Sequence, residues 1–137
     1  MKNVIDILLN SSDEMFKMPS EVVEIKRLSE AFGEEFKVML RGLTYTRYSE
    51  IQEESIDFKT GDINLSKIQI NTLLEGVYDL DGRLLFKNKE LLDKFKVHSF
   101  SDLVKKILSP GEITQLYSKI EKLSGFGDKN IEEEIKK

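Results

Sequence analysis

His98 is the single histidine of this chain, and at neutral pH it is the side chain best suited to move a proton. General-base work also needs a positioned nucleophile and an orienting carboxylate. Ser99 and Ser101 are close in sequence, but both stand where helices begin, and a hydroxyl that caps a helix is already engaged. Glu53, Glu54, Asp57 and Asp62 gather around a turn at Thr60-Gly61-Asp62. Their charge invites a calcium ion, yet the alternating ligand positions and closing bidentate Glu of a calcium loop are missing. Gly125-Phe126-Gly127 looks like a phosphate-cradling loop. Such a loop precedes a helix whose N-terminal amides face the anion, whereas these glycines follow one. Tyr45, Arg47 and Tyr48, with Arg41 nearby, are residue types that stack on bases. No second aromatic platform or basic stripe accompanies them, so packing in the core or in a hairpin is the better account. The chain has no Cys, which removes a thiol nucleophile, a disulfide framework and a Cys-ligated metal. The residues therefore yield no catalytic, cofactor-binding or metal-ligating set.

The elements that would position any site are easier to read. Ser109-Pro110 with Glu112 spells a capping box with proline at the first helical position. Ile113, Leu116, Tyr117, Ile120 and Leu123 then form one apolar stripe, and Gly125 supplies the left-handed residue that ends the helix. This stripe belongs to a helix that docks, mainly in the core, with Phe126 presented outward. Upstream, Ser99 with Asp102 caps a helix carrying Phe100, Leu103, Val104, Ile107 and Leu108, and Asn88 caps one carrying Leu91, Leu92 and Phe95. Ser66 opens a helix with Ile70, Leu73, Leu74, Val77 and Tyr78, and Thr44 or Thr46 opens another with Tyr45, Tyr48, Ile51 and Ile56. Leu84-Leu85-Phe86 is a short extended piece after the turn at Asp79-Leu80-Asp81-Gly82. Glu21–Leu28 and Glu34–Leu40 alternate apolar and charged residues and predict two strands. Ser29-Glu30-Ala31-Phe32-Gly33 between them predicts a hairpin connection. The fold class expected is α+β: a helix-dominated single domain with one antiparallel β-hairpin packed against about five short helices. Residues 1–18 form a partly ordered N-terminal segment with an apolar cluster at Val4, Ile5, Leu8 and Leu9. Residues 19–127 are the domain, and 128–137 are a charged tail without fixed structure.

At 137 residues the chain fits one domain. No apolar run approaches the ~20 residues that span a membrane, and the N-terminus lacks a signal-peptide form, so a soluble intracellular protein is expected. The net charge of −4 disfavours non-specific nucleic-acid binding. That charge is uneven: residues 1–82 carry −7, whereas residues 83–106 carry +4 through seven basic side chains that include Lys94, Lys105 and Lys106. The basic stretch reads as the solvated side of two amphipathic helices, or as a surface for an acidic protein or for the acidic N-terminal part of another copy.

Several segments together resemble the XkdN-like family of phage tail assembly chaperones. They are Met18-Pro19-Ser20-Glu21, Val23-Glu24-Ile25-Lys26-Arg27-Leu28-Ser29, Arg41-Gly42-Leu43-Thr44 and Tyr48-Ser49-Glu50-Ile51-Gln52. The likeness continues in Leu91-Leu92-Asp93-Lys94-Phe95, Leu108-Ser109-Pro110-Gly111-Glu112-Ile113 and Leu123-Ser124-Gly125-Phe126-Gly127. It runs from about Pro19 to Gly127, and none of these motifs is catalytic. It implies a non-enzymatic binding protein without cofactor or metal, acting in the host cytoplasm. Its implied partners are the tape measure protein, which it coats and keeps soluble, and the tail tube protein, which it helps to recruit. The resemblance further implies absence from the mature virion and, in many members, a second longer form made by ribosomal frameshifting. Phe126, Lys94, Lys105 and Lys106 are the expected protein-binding residues, and self-association is a further expected contact. A structural tail component and a small nucleic-acid-binding regulator are the rival readings.

Overall fold

The computed structural model describes residues 3–127 and 131–132. In chain order it contains α1 (Val4–Leu9), a 3-10 turn (Asp13–Phe16), β1 (Ser20–Glu24), α2 (Lys26–Phe32), β2 (Lys37–Arg41) and α3 (Tyr45–Glu54). There follow α4 (Leu65–Gly76), β3 (Val77–Tyr78), α5 (Lys89–Phe95), α6 (Phe100–Ile107) and α7 (Pro110–Leu123). The fold class is α+β and helix-dominated, as the periodicities predict. The charged tail expected beyond Gly127 lies outside the described residues, apart from Ile131 and Glu132.

The helix starts follow the capping residues. Thr44, Asn88, Ser99 and Ser109 each accept a hydrogen bond from the backbone N–H three residues on, which satisfies a donor that the helix itself cannot. Asn64, rather than Ser66, does the same for α4. The sheet is antiparallel, in the order β1-β2-β3, with Val23 opposite Val38 and Leu40 opposite Val77. Val38 and Leu40 point into the core while Lys37 stays exposed, as the alternation requires.

Further readings change in the structure, among them Ile56, which lies beyond α3 and bridges to Ile63. The connection between the first two strands is not a five-residue hairpin loop but a helix, α2, so residues 25–28 are not strand. Ile25 continues the alternation of Val23, but Ile25, Leu28 and Phe32 fall at i, i+3 and i+7, a helical spacing. The helix buries both Ile25 and Leu28, whereas a continued edge strand would turn one of its faces to water. Gly33, at φ 71°, ends this helix and does not serve a hairpin turn. Val77 and Tyr78, read as the last turn of a helix, leave it at Gly76 and pair with β2.

The core lies between the sheet and a helical layer centred on α4, which packs on α3, α6 and α7. Phe86, Leu40, Leu73, Leu103 and Ile120 are its largest fully buried side chains. β2, the central strand, packs on α7, and α5 packs on α6.

Candidate functional site

Four of the motifs quoted above, those holding Arg27, Gly42, Glu112 and Phe126, meet at the two ends of α7. At its start Ser109 Oγ accepts from the Glu112 N–H at 3.2 Å, and Glu112 Oε1 accepts from the Ser109 N–H at 2.8 Å, closing the capping box. The same carboxylate takes Arg27 of α2 in a two-point grip, Nε to Oε2 at 3.0 Å and Nη2 to Oε1 at 2.8 Å. Arg27 Nη2 also donates to the Ile107 carbonyl at 2.8 Å, so one guanidinium joins α2, α6 and α7. The Arg27 bond, reinforced by the Ser109 N–H, holds the Glu112 carboxyl below its ordinary value. Beside this junction Val23, Ile25, Gln115, Leu116 and Lys119 line an open hollow of about 410 Å³.

At the far end the chain leaves α7 through two linked bonds. The Gly125 N–H donates to the Lys122 carbonyl and the Phe126 N–H to the Glu121 carbonyl, both at 3.0 Å, with Gly125 at φ 97°. This end lies against Gly42. A methyl group placed there would stand 2.3 Å from the Leu123 carbonyl oxygen. The Leu43 N–H next to it donates to Ser124 Oγ at 2.8 Å. Arg41-Gly42-Leu43-Thr44 and Leu123-Ser124-Gly125-Phe126-Gly127 are thus two halves of one seam. Gly76 contributes similarly, since a side chain there would strike Ile120. The Phe126 ring lies 5.2 Å from that of Tyr48 on α3 and is about two-fifths exposed. Burial, and then the Glu121 carboxylate, push the neighbouring Tyr117 hydroxyl up.

The other residues read from sequence scatter over the surface. Lys94 lies in the last turn of α5, and Lys105 and Lys106 in the last turn of α6, all exposed. The packing of α5 on α6 gathers the lysines on one helical pair, whereas Phe126 belongs to the α3–α7 side. His98 is exposed between α5 and α6. Asp57 Oδ1 accepts from the Lys59 N–H at 2.8 Å within its own turn, and among the described residues no three acidic or histidine side chains cluster as metal ligands. Tyr45 corrects the expectation of core or hairpin packing, because it is 82% exposed on the first turn of α3. Tyr48 does pack on the core, Arg47 pairs with Glu50, and Arg41 stands over the Tyr78 ring at 4.7 Å.

Two groups of apolar side chains are exposed in the structure. One is the α3–α4 connection, where Ile56 and Ile63 bridge and Phe58, Ile63 and Leu65 face solvent, Phe58 at 95%. The paired isoleucines flanking Thr60-Gly61-Asp62 were the available signal. The other is α1, where every residue is exposed. The apolar cluster there was visible in sequence, but its failure to pack was not.

These are the features of a small α+β protein in which Arg27, Gly42, Glu112 and Ser124 serve internal seams. The model of the phage XkdN-like tail assembly chaperone protein family matches residues 5–137. The chain belongs to that family, which is one of chaperones. No curated protein matches the chain. Among solved structures it is similar to the crystal structure of the protein yqbn, at 23% identity and TM-score 0.58 over 80% of this chain and 88% of that one. A structure of the bacteriophage HK97 tail assembly chaperone also aligns, at 14% identity and TM-score 0.45 over 89% of this chain and 98% of that one. Among the described residues no helix is long and apolar enough to cross a membrane.

Proposed function

We infer that this chaperone binds the tape measure protein of its tail, keeps it soluble and promotes assembly of the tail tube around it. Family membership across residues 5–137 is the observation that carries the reading. The surface chemistry supports it. A long helical polypeptide waiting for its tube exposes apolar stripes, and a small partner masks them with apolar side chains of its own. The exposed Phe58, Ile63 and Leu65 offer such a surface, and Phe126 adds an aromatic ring on the hollow lined by Ile68, one turn after Leu65. Lys94, Lys105 and Lys106 provide a second, cationic contact region. Many weak contacts along one chain hold it multivalently and still release as tube subunits arrive. The protein then works in the host cytoplasm, turns over no substrate and is left out of the finished particle.

Co-expression tests this directly. The tape measure protein made alone should be insoluble and should become soluble with this chain. The Phe58→Asp, Leu65→Asp double variant should fold and lose the rescue. A tape measure that stays insoluble beside the parent protein, or rescue undiminished by the double variant, refutes the assignment of partner or of surface respectively. Mass spectrometry of purified tails that finds this chain would make it a structural component instead.

A further inference from the structure

We propose that the outer edge of β1 and the hollow beside it accept an extended segment of a protein partner as a fourth strand of the sheet. The order β1-β2-β3 leaves two edges. β3 is two residues long, and Tyr78 bridges to Leu84 beyond it, so that edge is short and partly closed. β1 is the open one. The Ile25 N–H donates to the Phe36 carbonyl and the Gly42 N–H to the Pro19 carbonyl, both at 3.0 Å. Antiparallel pairing alternates, so in this register Glu21 and Val23 turn their backbone groups toward β2. Ser20, Val22 and Glu24 turn theirs outward, and all three residues are exposed, Val22 at 55%. Natural edges are commonly blunted by proline, lysine or a bulge, and β1 contains none of these. Its two carboxylates are engaged: Glu21 pairs with Lys119 of α7, and Glu24 accepts from Ser29 Oγ.

Outward backbone groups at alternate residues fit one kind of occupant, another extended chain. The hollow sets what that chain must carry. It lies between β1 and α7, on the side of the sheet that Val23 faces, with Val23, Ile25 and Leu116 as its apolar wall. An apolar side chain opposite Val23 fills it. Among the charged side chains lining the hollow, Arg27 and Glu112 hold each other, Lys119 holds Glu21, and Glu24 holds Ser29. Lys26 is exposed and makes no ion pair among the described residues. A carboxylate on the occupant, toward the Ile25 end, complements it. Antiparallel pairing, the commoner kind, puts that carboxylate on the N-terminal side of the apolar residue. The occupant is thus an extended segment with apolar residues at alternate positions, preceded by an acidic one. This contact differs in kind from the masking of a helical stripe. It shares no residue with Phe58, Ile63 and Leu65, so either surface can fail without the other.

Nuclear magnetic resonance and amide hydrogen exchange of the full chain test the site with a capped synthetic peptide, Asp-Val-Thr-Val-Thr-Thr. Binding at roughly millimolar or tighter should protect the Val22 and Glu24 amides, while Val23, already bonded to β2, gains no protection. Val22→Pro removes an outward N–H and no bond to β2. It should keep the parent melting temperature and weaken the peptide by about tenfold or more. Lys26→Glu, at an exposed position, should bind this peptide less well and prefer one that begins with lysine. A Val22 amide that the peptide never protects overturns the proposal, as does equal binding by Val22→Pro. An unchanged preference for the acidic peptide in Lys26→Glu refutes the stated chemistry of the occupant. Protection of Val22 and Glu24 before any peptide is added also overturns the proposal. A doubled mass in sedimentation would then put a second copy on the edge, and a monomer mass a segment of this chain.

Discussion

Gly42→Ala is a one-methyl change whose cost follows from the seam between β2 and α7. The new carbon would stand 2.3 Å from the Leu123 carbonyl oxygen, 2.6 Å from its carbon and 2.9 Å from the Ser124 nitrogen. All three are backbone atoms at a hydrogen-bonded helix end, so no flexible side chain can swing aside. Ordinary contact begins near 3.4 Å, so the two segments must separate by about 1 Å. Forcing extra volume into a packed site costs ~1–3 kcal/mol. A movement of that size also breaks the 2.8 Å bond from the Leu43 N–H to Ser124 Oγ. Leaving a half-buried donor unpaired adds ~1–3 kcal/mol. Together the loss is about 2–6 kcal/mol, a large part of the ~5–15 kcal/mol that stabilises a typical domain. For a domain of this size it corresponds to a melting temperature lower by roughly 8–20 °C. Circular dichroism melts of the variant beside Gly111→Ala make the assay. Gly111 lies in the first turn of α7 with nothing within 4 Å of an added methyl, so its replacement should leave stability unchanged or slightly raised. A Gly42→Ala protein melting within about 2 °C of the parent would show that the seam opens freely and that the steric reasoning is wrong.

The remaining expectations are shorter. Glu112 has a folded-state pKa below its ordinary 4.5, so its contribution is complete above that value and disappears as pH falls through the lower folded value. Melting temperature should therefore fall with pH from about 5 downward, and Glu112→Gln should flatten this dependence; parallel curves would deny the Arg27–Glu112 grip its role. Leu116, 5% exposed on the inner face of α7, should not tolerate Asp. Far-ultraviolet circular dichroism should find Leu116→Asp unfolded, and a folded variant defective only in partner binding would place that face outside the core.

What could be read from residues alone was local. Thr44, Asn88, Ser99 and the Ser109–Glu112 box mark helix starts because a cap and its donor lie three residues apart. Gly125 marks a stop because only a residue free of Cβ strain takes φ near 97° at ease. The single histidine and the lack of cysteine need no fold to be counted. Tertiary structure decided whatever depended on distant neighbours. Ile25 continues the alternation of Val23 yet shares a helical face with Leu28, and only the surfaces they bury against make Lys26–Phe32 a helix. Val77 joins a strand because Leu40 waits opposite. Arg27 meets Glu112 across 85 residues, and Gly42 yields to Leu123 across the same seam that Leu43 and Ser124 close over 81. Nor does composition tell a covered apolar cluster from a bare one: Val4, Ile5, Leu8 and Leu9 resemble core residues in sequence, yet the fold leaves them exposed. Local signals act within a turn of helix, whereas burial depends on which surfaces the whole chain brings together.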